Sequence, residues 1–199
     1  MTRAGEAVAQ AIDDCALAEE TRVLVLIGPG NNGGDGLVAA ATLQEMGANV
    51  VCYIWKRNVE GDANYERATK LGIEVVRQDD DPGLARFREL LAESEVVVDA
   101  LLGTGATGAP RGSLAELLGA WRDGLEALAP QPAPLQRLDR PVDGWPQRPL
   151  VVAVDLPSGL DADTGAVDPL TPQADLTVTF AFPKRGLFQF PGASRVGTL

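Results

Sequence analysis

Residues 23–36 read Val-Leu-Val-Leu-Ile-Gly-Pro-Gly-Asn-Asn-Gly-Gly-Asp-Gly, an apolar run that passes directly into a segment rich in glycine. The branched apolar residues Val23–Ile27 are typical of a parallel strand that is buried on both faces. Residues 37–46 predict a helix after the glycine segment. A strand, a glycine loop and a helix in this order point backbone N–H groups and a helix N-terminus at an anion.

The glycine segment allows two interpretations. Gly28, Gly30 and Gly33 fit the dinucleotide-binding pattern GxGxxG, but this pattern alone also fits a tight turn that binds nothing. The polar residues at positions 31, 32 and 35 favour a ligand, because a turn between a strand and a helix needs none of them. We therefore predict a ligand-binding loop before the helix.

The composition limits the classes of partner. The chain has 199 residues, enough for one domain with a sizeable core. Its 17 basic and 28 acidic residues leave a formal charge of −11, which argues against a nucleic-acid surface and favours a small-molecule ligand. We find no apolar run of transmembrane length and no signal-peptide pattern, so we expect no membrane contact. Cys15 and Cys52 form no CxxC motif, which is typical of the reducing cytoplasm.

The chain contains no histidine. This absence excludes Ser-His-Asp and Cys-His catalysis and any zinc site that uses histidine. Any proton transfer must therefore rely on Asp, Glu, Lys, Tyr or water.

Strands and helices are predicted to alternate along the chain, which indicates an α/β fold: a three-layer α/β/α domain with a mostly parallel sheet. The predicted strands are 23–27, 49–55, 73–76, 95–102, 150–155 and 174–180, and the predicted helices are 4–18, 37–46, 62–71, 84–92 and 113–128. Residues 129–149 are rich in proline and are predicted to form an exposed insertion. We expect both ends of the domain to be truncated, because the first helix lacks a capping segment and a last strand should continue beyond Leu199.

Three apolar strands are followed by polar or glycine-rich segments. Asp99 interrupts the strand 95–102, which leads into the glycine-rich loop 103–112, and Asp155 begins a third such segment that reaches Ser158. A buried carboxylate at position 99 needs a cation, a cluster of donors or a shifted pKa, although a structural hydrogen bond to the loop would also satisfy it. Because ligands bind at the carboxyl ends of parallel strands, we predict one site at this edge.

The end of the second strand argues against an ordinary NAD-dependent dehydrogenase. Such an enzyme places a carboxylate there to hold the ribose hydroxyls, whereas this chain has Lys56 and Arg57. The two basic residues are interpreted as a solvated rim, with phosphate attraction as the alternative.

Four blocks of sequence resemble the NAD(P)H-hydrate epimerase family, the YjeF N-terminal domain. They are Gly30–Gly36, Val98–Ala100 with Gly103–Gly105, Val154–Gly159 and Pro183-Lys184, in the family's order. The resemblance implies a Rossmann-like fold and a role in the repair of nicotinamide cofactors. The family interconverts the R and S epimers of hydrated NADH and NADPH (NADHX and NADPHX) at C6, so that a partner dehydratase, separate or fused on the C-terminal side, can use the S form.

The same resemblance implies the site residues. The hydrate site would be lined by Asn31, Asn32, Gly33, Gly34, Asp35, Gly103, Thr104, Gly105, Ala106, Thr107, Gly108 and Ala109, with Asp155 beside the ring. One potassium ion per subunit would bind to oxygens of Asn32, Asp99 and Ser158. A homo-oligomer is compatible with the family.

The chemistry at C6 is left open between loss and return of water and opening and closure of the ring. With no histidine available, Asp155 is the best-placed proton carrier and Lys184 a candidate helper. A non-catalytic binding scaffold on the same fold is the alternative function, and retention of the residues at 32, 99, 155 and 158 favours the enzyme.

Overall fold

The computed structural model describes residues 2–16, 20–106, 108–128 and 148–199. Its centre is a six-stranded sheet in the order β3-β2-β1-β4-β5-β6, and every neighbouring pair of strands is parallel. The strands are β1 (Arg22–Ile27), β2 (Asn49–Ile54), β3 (Glu74–Arg77), β4 (Val96–Ala100), β5 (Leu150–Val154) and β6 (Leu176–Val178). The helices are α1 (Thr2–Ala16), α2 (Asn31–Glu45), α3 (Ala63–Lys70), α4 (Ala85–Glu93) and α5 (Ser113–Leu128).

Helices cover both faces of the sheet, which confirms the predicted three-layer α/β/α fold. Alternate residues of β1 point to opposite faces, so Val25 packs in one apolar core and Leu24 in the other. The first core joins the sheet to α1, α2 and α3, and the second joins it to α4 and α5. Burial on both faces explains why β1 is apolar throughout.

The strand order reverses at β1. Val25 of β1 pairs with Cys52 of β2 on one side and with Val98 of β4 on the other. In an open parallel sheet, such a reversal leaves a crevice beyond the carboxyl ends of the two strands. The C-terminal ends of β1 and β4, with that of β5 next to them, therefore form the edge where a ligand site was predicted.

The glycine segment differs from its prediction. Helix α2 begins at Asn31, so residues 31–36 are its first turns and not a loop before a helix that starts at residue 37. A Cβ atom on Gly33 would lie 2.0 Å from the carbonyl oxygen of Gly28, and one on Gly36 would lie 2.5 Å from the Cβ of Ala100. These glycines let the helix approach the sheet closely. The glycine pattern in the sequence is the same for close packing and for ligand binding, so it could not distinguish these two roles.

The other elements agree with the predictions to within a few residues. The strands β4 and β6 are shorter than predicted, and Thr198 pairs in parallel with Leu176 beside the edge strand β6. Most of the predicted proline-rich insertion, residues 129–147, lies outside the described residues. Within the described ranges, no helix is long and apolar enough to cross a membrane. Cys15 is exposed, Cys52 is buried, and both are free thiols.

Candidate functional site

Three side chains from different elements meet beyond the end of β4. The Nδ2 of Asn32, in the first turn of α2, donates to the carbonyl of Leu102 over 2.7 Å. The N–H of Leu102 donates to the hydroxyl of Ser158 over 2.9 Å, and this hydroxyl donates to Oδ1 of Asp99 over 2.6 Å. The structure thus brings together the three residues predicted to bind a cation. The backbone of Leu102 connects two of them, Asn32 and Ser158.

Asp99 is a fully buried carboxyl group in the middle of the sheet. Its Oδ2 accepts from the backbone N–H of Ser158 over 2.8 Å, and its Oδ1 also accepts from the N–H of Leu101 over 3.3 Å. Burial raises the pKa of Asp99 to about 6, although the hydrogen bonds from Ser158 and Leu101 act in the opposite direction. The donors around this carboxyl therefore do not fully compensate for its removal from water.

The chemistry of this cluster suits a hard cation. Its three side chains offer carboxylate, hydroxyl and amide oxygens, which are the ligands that hard cations prefer. A cation beside Asp99 would favour the ionised carboxyl that burial disfavours. Gly103 lies against the same cluster, since a Cβ atom there would lie 3.2 Å from the Cβ of Asn32.

Asp155 follows the last residue of β5 and has an unusual backbone. Its φ is +69°, in the left-handed region that non-glycine residues rarely adopt. The carboxylate of Asp155 accepts from the ammonium of Lys184, from the hydroxyl of Thr179 and from the N–H of Phe180. The Asp155 and Lys184 side chains are only 14% and 18% exposed. Strain of this kind persists where surrounding contacts enforce it, and it is concentrated at functional sites.

Lys184 is held at two further points. Its ammonium donates to the hydroxyl of Thr179 over 3.1 Å and to the carbonyl of Phe180 over 3.0 Å. The segment after β6 therefore supplies both the cation that pairs with Asp155 and the groups that position that cation.

Asp35 is a second carboxyl group near this edge. It is 9% exposed, and its Oδ1 is buried without a hydrogen-bond partner in the described part of the chain. Burial raises the pKa of the Asp35 carboxyl; the charge of the N-terminal amino group acts in the opposite direction, and the negative charge of Asp155 acts in the same direction as burial. The charge of Asp155, at the end of β5, therefore acts on a carboxyl group of α2.

A cavity of about 200 Å³ lies beside the cluster. Its walls are the loop after β4 and the segment that follows Ser158. The predicted residues that line it are Gly103, Ala106, Gly108 and Ala109, and Asp161 and Asp168 are its charged lining residues. These four residues of the loop after β4 therefore border a concave surface, as a ligand site requires.

Arg57 has a different role from the one predicted. It is buried rather than part of a solvated rim. Its Nη1 donates to the carbonyls of Gly28 and Gly30 over 3.1 and 2.8 Å, and its Nε donates to Asp62 over 2.7 Å. Through these bonds to the glycine segment and to Asp62, Arg57 fixes the entry to α2.

The remaining predicted residues are placed as follows. Asn31 is exposed at the start of α2, and Gly34 donates its N–H to the carbonyl of Gly30. Thr104 and Gly105 are exposed in the loop after β4, whereas Thr107 lies outside the described residues. Analysis of the sequence missed Thr179 and Phe180, which give no signal beyond their position five and four residues before Lys184.

The fold is a Rossmann-like α/β domain, and the candidate site lies at the reversal of strand order. The profile of the family described as "YjeF-related protein N-terminus" matches residues 1–186. This chain therefore belongs to the YjeF N-terminal family.

Named relatives agree with this assignment. The chain is 38% identical over 185 residues to the NAD(P)H-hydrate epimerase of Clavibacter michiganensis, a match that covers 92% of this chain and 72% of that protein. It is 40% identical over 181 residues to the bifunctional NAD(P)H-hydrate repair enzyme Nnr of Thermofilum pendens, covering 88% of this chain and 30% of the relative. The chain spans about a third of the length of such bifunctional relatives.

A solved structure supports the fold. The crystal structure of the yeast protein YNL200c matches 98% of this chain and 72% of its own with a TM-score of 0.72, at 25% identity.

Proposed function

We propose that this domain interconverts the R and S epimers of NADHX and NADPHX at C6 of the nicotinamide ring. The observation that carries the proposal is the carboxylate of Asp155, which is strained, largely buried and paired with Lys184 at the edge where ligands bind. The names of the relatives, NAD(P)H-hydrate epimerase and NAD(P)H-hydrate repair enzyme, supply the substrate class. A pure binding scaffold would not need an ion-paired carboxylate in a costly backbone conformation.

Asp155 is proposed as the proton carrier. In a chain without histidine, a carboxylate held in a fixed position is a suitable general base. Lys184, Thr179 and the N–H of Phe180 hold one oxygen of Asp155, which leaves its other oxygen for the substrate. Lys184 acts as a positioning residue that holds the carboxylate in a fixed orientation.

The hydrate is proposed to bind across α2 and the loop after β4. The first turn of α2, Asn31–Gly33, presents backbone N–H groups at the positive end of the helix, where phosphate oxygens bind well. Gly34 and Asp35 would continue this wall, and Gly103, Ala106, Gly108 and Ala109 would form the opposite one beside the cavity. Arg57 supports the first wall from behind, because it holds the carbonyls of Gly28 and Gly30.

Potassium is proposed as the resident cation. Oxygens of Asn32, Asp99 and Ser158 would hold it, and when bound it would supply a fixed positive charge that neutralises Asp99. The three residues connect α2, β4 and the segment after β5 through Leu102. A cation at this point would therefore fix the relative positions of the two walls of the substrate site.

The wider context is part of the same proposal. The product of the proposed epimerisation, the S hydrate, would be consumed by an NAD(P)H-hydrate dehydratase. The name of the bifunctional relatives suggests that they combine both activities on a single chain. The cytoplasmic location inferred from the cysteines and the homo-oligomeric state stay predictions.

The proposal is tested with the purified chain, R-NADHX and a dehydratase that accepts only the S epimer. Epimerisation should convert the whole of the R substrate into reduced cofactor, which is measured by its absorbance. A reaction that stops when the S epimer is exhausted, and runs no faster than without the chain, would contradict the assignment.

A further inference from the structure

Asp35 is a buried carboxyl group that the fold does not explain. It is 9% exposed, and its side chain makes no hydrogen bond within the described ranges. Burying a carboxyl without partners is costly, so such groups are rarely kept for stability alone. The neighbouring polar residue one turn earlier, Asn32, is by contrast bonded to Leu102.

Asp35 and Asp155 belong to segments that follow two strands of the sheet, with one strand, β4, between them. Helix α2 follows β1, Asp155 follows β5, and β4 lies between those two strands. Neighbouring strands are about 4.8 Å apart, so the ends of β1 and β5 are roughly 10 Å apart. Asp35 lies about one turn into α2, the helix that follows β1. The charge of Asp155 also acts on Asp35, in the direction that raises its pKa.

The two carboxyl groups have opposite environments. Asp155 accepts hydrogen bonds from an ammonium, a hydroxyl and an N–H. Asp35 has no such donor, and burial raises its pKa, with the charge of Asp155 acting in the same direction and that of the N-terminal amino group in the opposite direction. Two carboxyl groups whose environments differ in this way are suited to act as acid and base in one reaction.

Building on the proposed epimerase function, we propose that Asp35 is the second catalytic residue, a protonated carboxyl that works opposite Asp155 in an exchange of water at C6. In the R to S direction, Asp35 gives its proton to the C6 hydroxyl. The C6–O bond breaks, its electron pair leaves with the oxygen as water, and the lone pair of the ring nitrogen forms a C=N bond to C6.

The second half of the reaction restores the hydrate. Water attacks C6 from the opposite face, the π electrons of the C=N bond return to the nitrogen, and the Asp155 carboxylate takes the proton of the attacking water. One water leaves and one enters, so the atoms balance. The S to R direction begins with the proton on Asp155, as microscopic reversibility requires, and exchange with solvent restores the starting state.

The first test is the variant Asp35→Asn, which keeps the size of the side chain and cannot supply an acidic proton. We expect its rate of epimerisation to fall about a hundred- to ten-thousandfold. Binding of NAD⁺ by calorimetry should change little, because the lost interaction serves the reaction and not the ground state. Its melting temperature should be equal to or above that of the parent chain, because no hydrogen bond is lost. Asp80→Asn, at an exposed position, is the matched control and should leave rate and binding unchanged.

The second test uses the unaltered chain in water enriched in ¹⁸O. Each epimerisation should place one solvent oxygen at C6, whereas a ring-opening route retains the original oxygen. An unchanged rate in Asp35→Asn, a parallel loss of rate and NAD⁺ binding, or epimerisation without ¹⁸O uptake would each overturn the role of Asp35 while leaving the epimerase function standing. An unaltered chain that does not epimerise R-NADHX at all would overturn the proposed function itself.

Discussion

The ammonium of Lys184 binds the carboxylate of Asp155, although the two residues are 29 positions apart in the chain. The contact joins the end of β5 to the segment after β6, and it lies where the backbone of Asp155 adopts a positive φ. Two features that each cost free energy, a strained backbone and a largely buried ion pair, therefore coincide at one residue.

The first prediction concerns Asp155→Asn. Asparagine preserves the size and most of the hydrogen bonding of the side chain, but it cannot carry a proton. We expect epimerisation to slow by about a hundred- to ten-thousandfold, or roughly 2.7 to 5.5 kcal/mol of barrier. The coupled assay measures the rate, and calorimetry with NAD⁺ measures binding on the same preparation. Unchanged turnover would remove Asp155 from the mechanism, and proportionate loss of binding would make it a substrate anchor.

Lys184→Met keeps the aliphatic stem and removes the charge that faces Asp155. Loss of a hydrogen bond to a charged group costs about 1.5 to 3 kcal/mol, so the rate should fall roughly ten- to a hundredfold. Lys70→Met removes an ammonium whose side chain is 78% exposed and serves as the matched control. Equal rates for the two variants would show that Lys184 does not position the carboxylate.

Potassium should stabilise the fold through Asp99. A ligand that binds only the folded state raises its stability by RT ln(1 + [L]/Kd), so the melting temperature should rise with KCl and not with LiCl at equal ionic strength. Asp99→Asn should lose this rise and should be less destabilised than Asp99→Leu, because leucine leaves Ser158 and the N–H of Leu101 unpaired. The same KCl dependence in Asp99→Asn as in the parent chain would count against the cation site.

Two glycines of the same motif should respond differently to alanine. A Cβ atom at position 33 would lie 2.0 Å from the carbonyl oxygen of Gly28, whereas one at position 30 meets nothing within 4 Å. We expect Gly33→Ala to lower the free energy of unfolding by about 3 kcal/mol or more, since backbone must move against backbone. Gly30→Ala should stay within about 1 kcal/mol of the parent chain. Urea denaturation checks both, and equal losses would refute the packing argument.

Asp81 should contribute a pH-dependent part of the stability. It is buried and, although burial alone raises its pKa, hydrogen bonds from the N–H groups of Phe87 and Arg86 and from the hydroxyl of Tyr53 lower the pKa overall. Because the pKa is lower in the folded state, this stability is present above the ordinary aspartate pKa of about 3.9 and is lost as the pH falls through the folded value.

The corresponding variant is Asp81→Asn. Its free energy of unfolding should be lower than that of the parent chain at pH 7, and the difference should shrink as the pH is lowered below about 4. Asp80→Asn, at an exposed position, should follow the parent chain at every pH. A constant difference between Asp81→Asn and the parent chain would show that the carboxylate charge at position 81 does not matter.

The local pattern of apolar residues in the sequence was sufficient to predict the order of the strands and helices and the parallel sheet. The apolar run Val23–Ile27 has to be buried on both faces whatever follows it, and alternation of such runs with helical segments leaves few other folds. The polar positions 32, 99 and 158 could likewise be assigned to one edge, because the carboxyl ends of parallel strands lie together.

Only the tertiary structure decided the start of α2, the burial of Arg57 and the pairing of Asp155 with Lys184. Each depends on distances that a local pattern does not specify: the space around Gly33 beside the carbonyl of Gly28, a guanidinium against two carbonyls, and an ammonium against a carboxylate. Local periodicity reports which face of an element is apolar, but it contains no information about how closely two backbones approach or which charges share a low-dielectric environment. Those distances follow from the packing of the whole sheet and its helices.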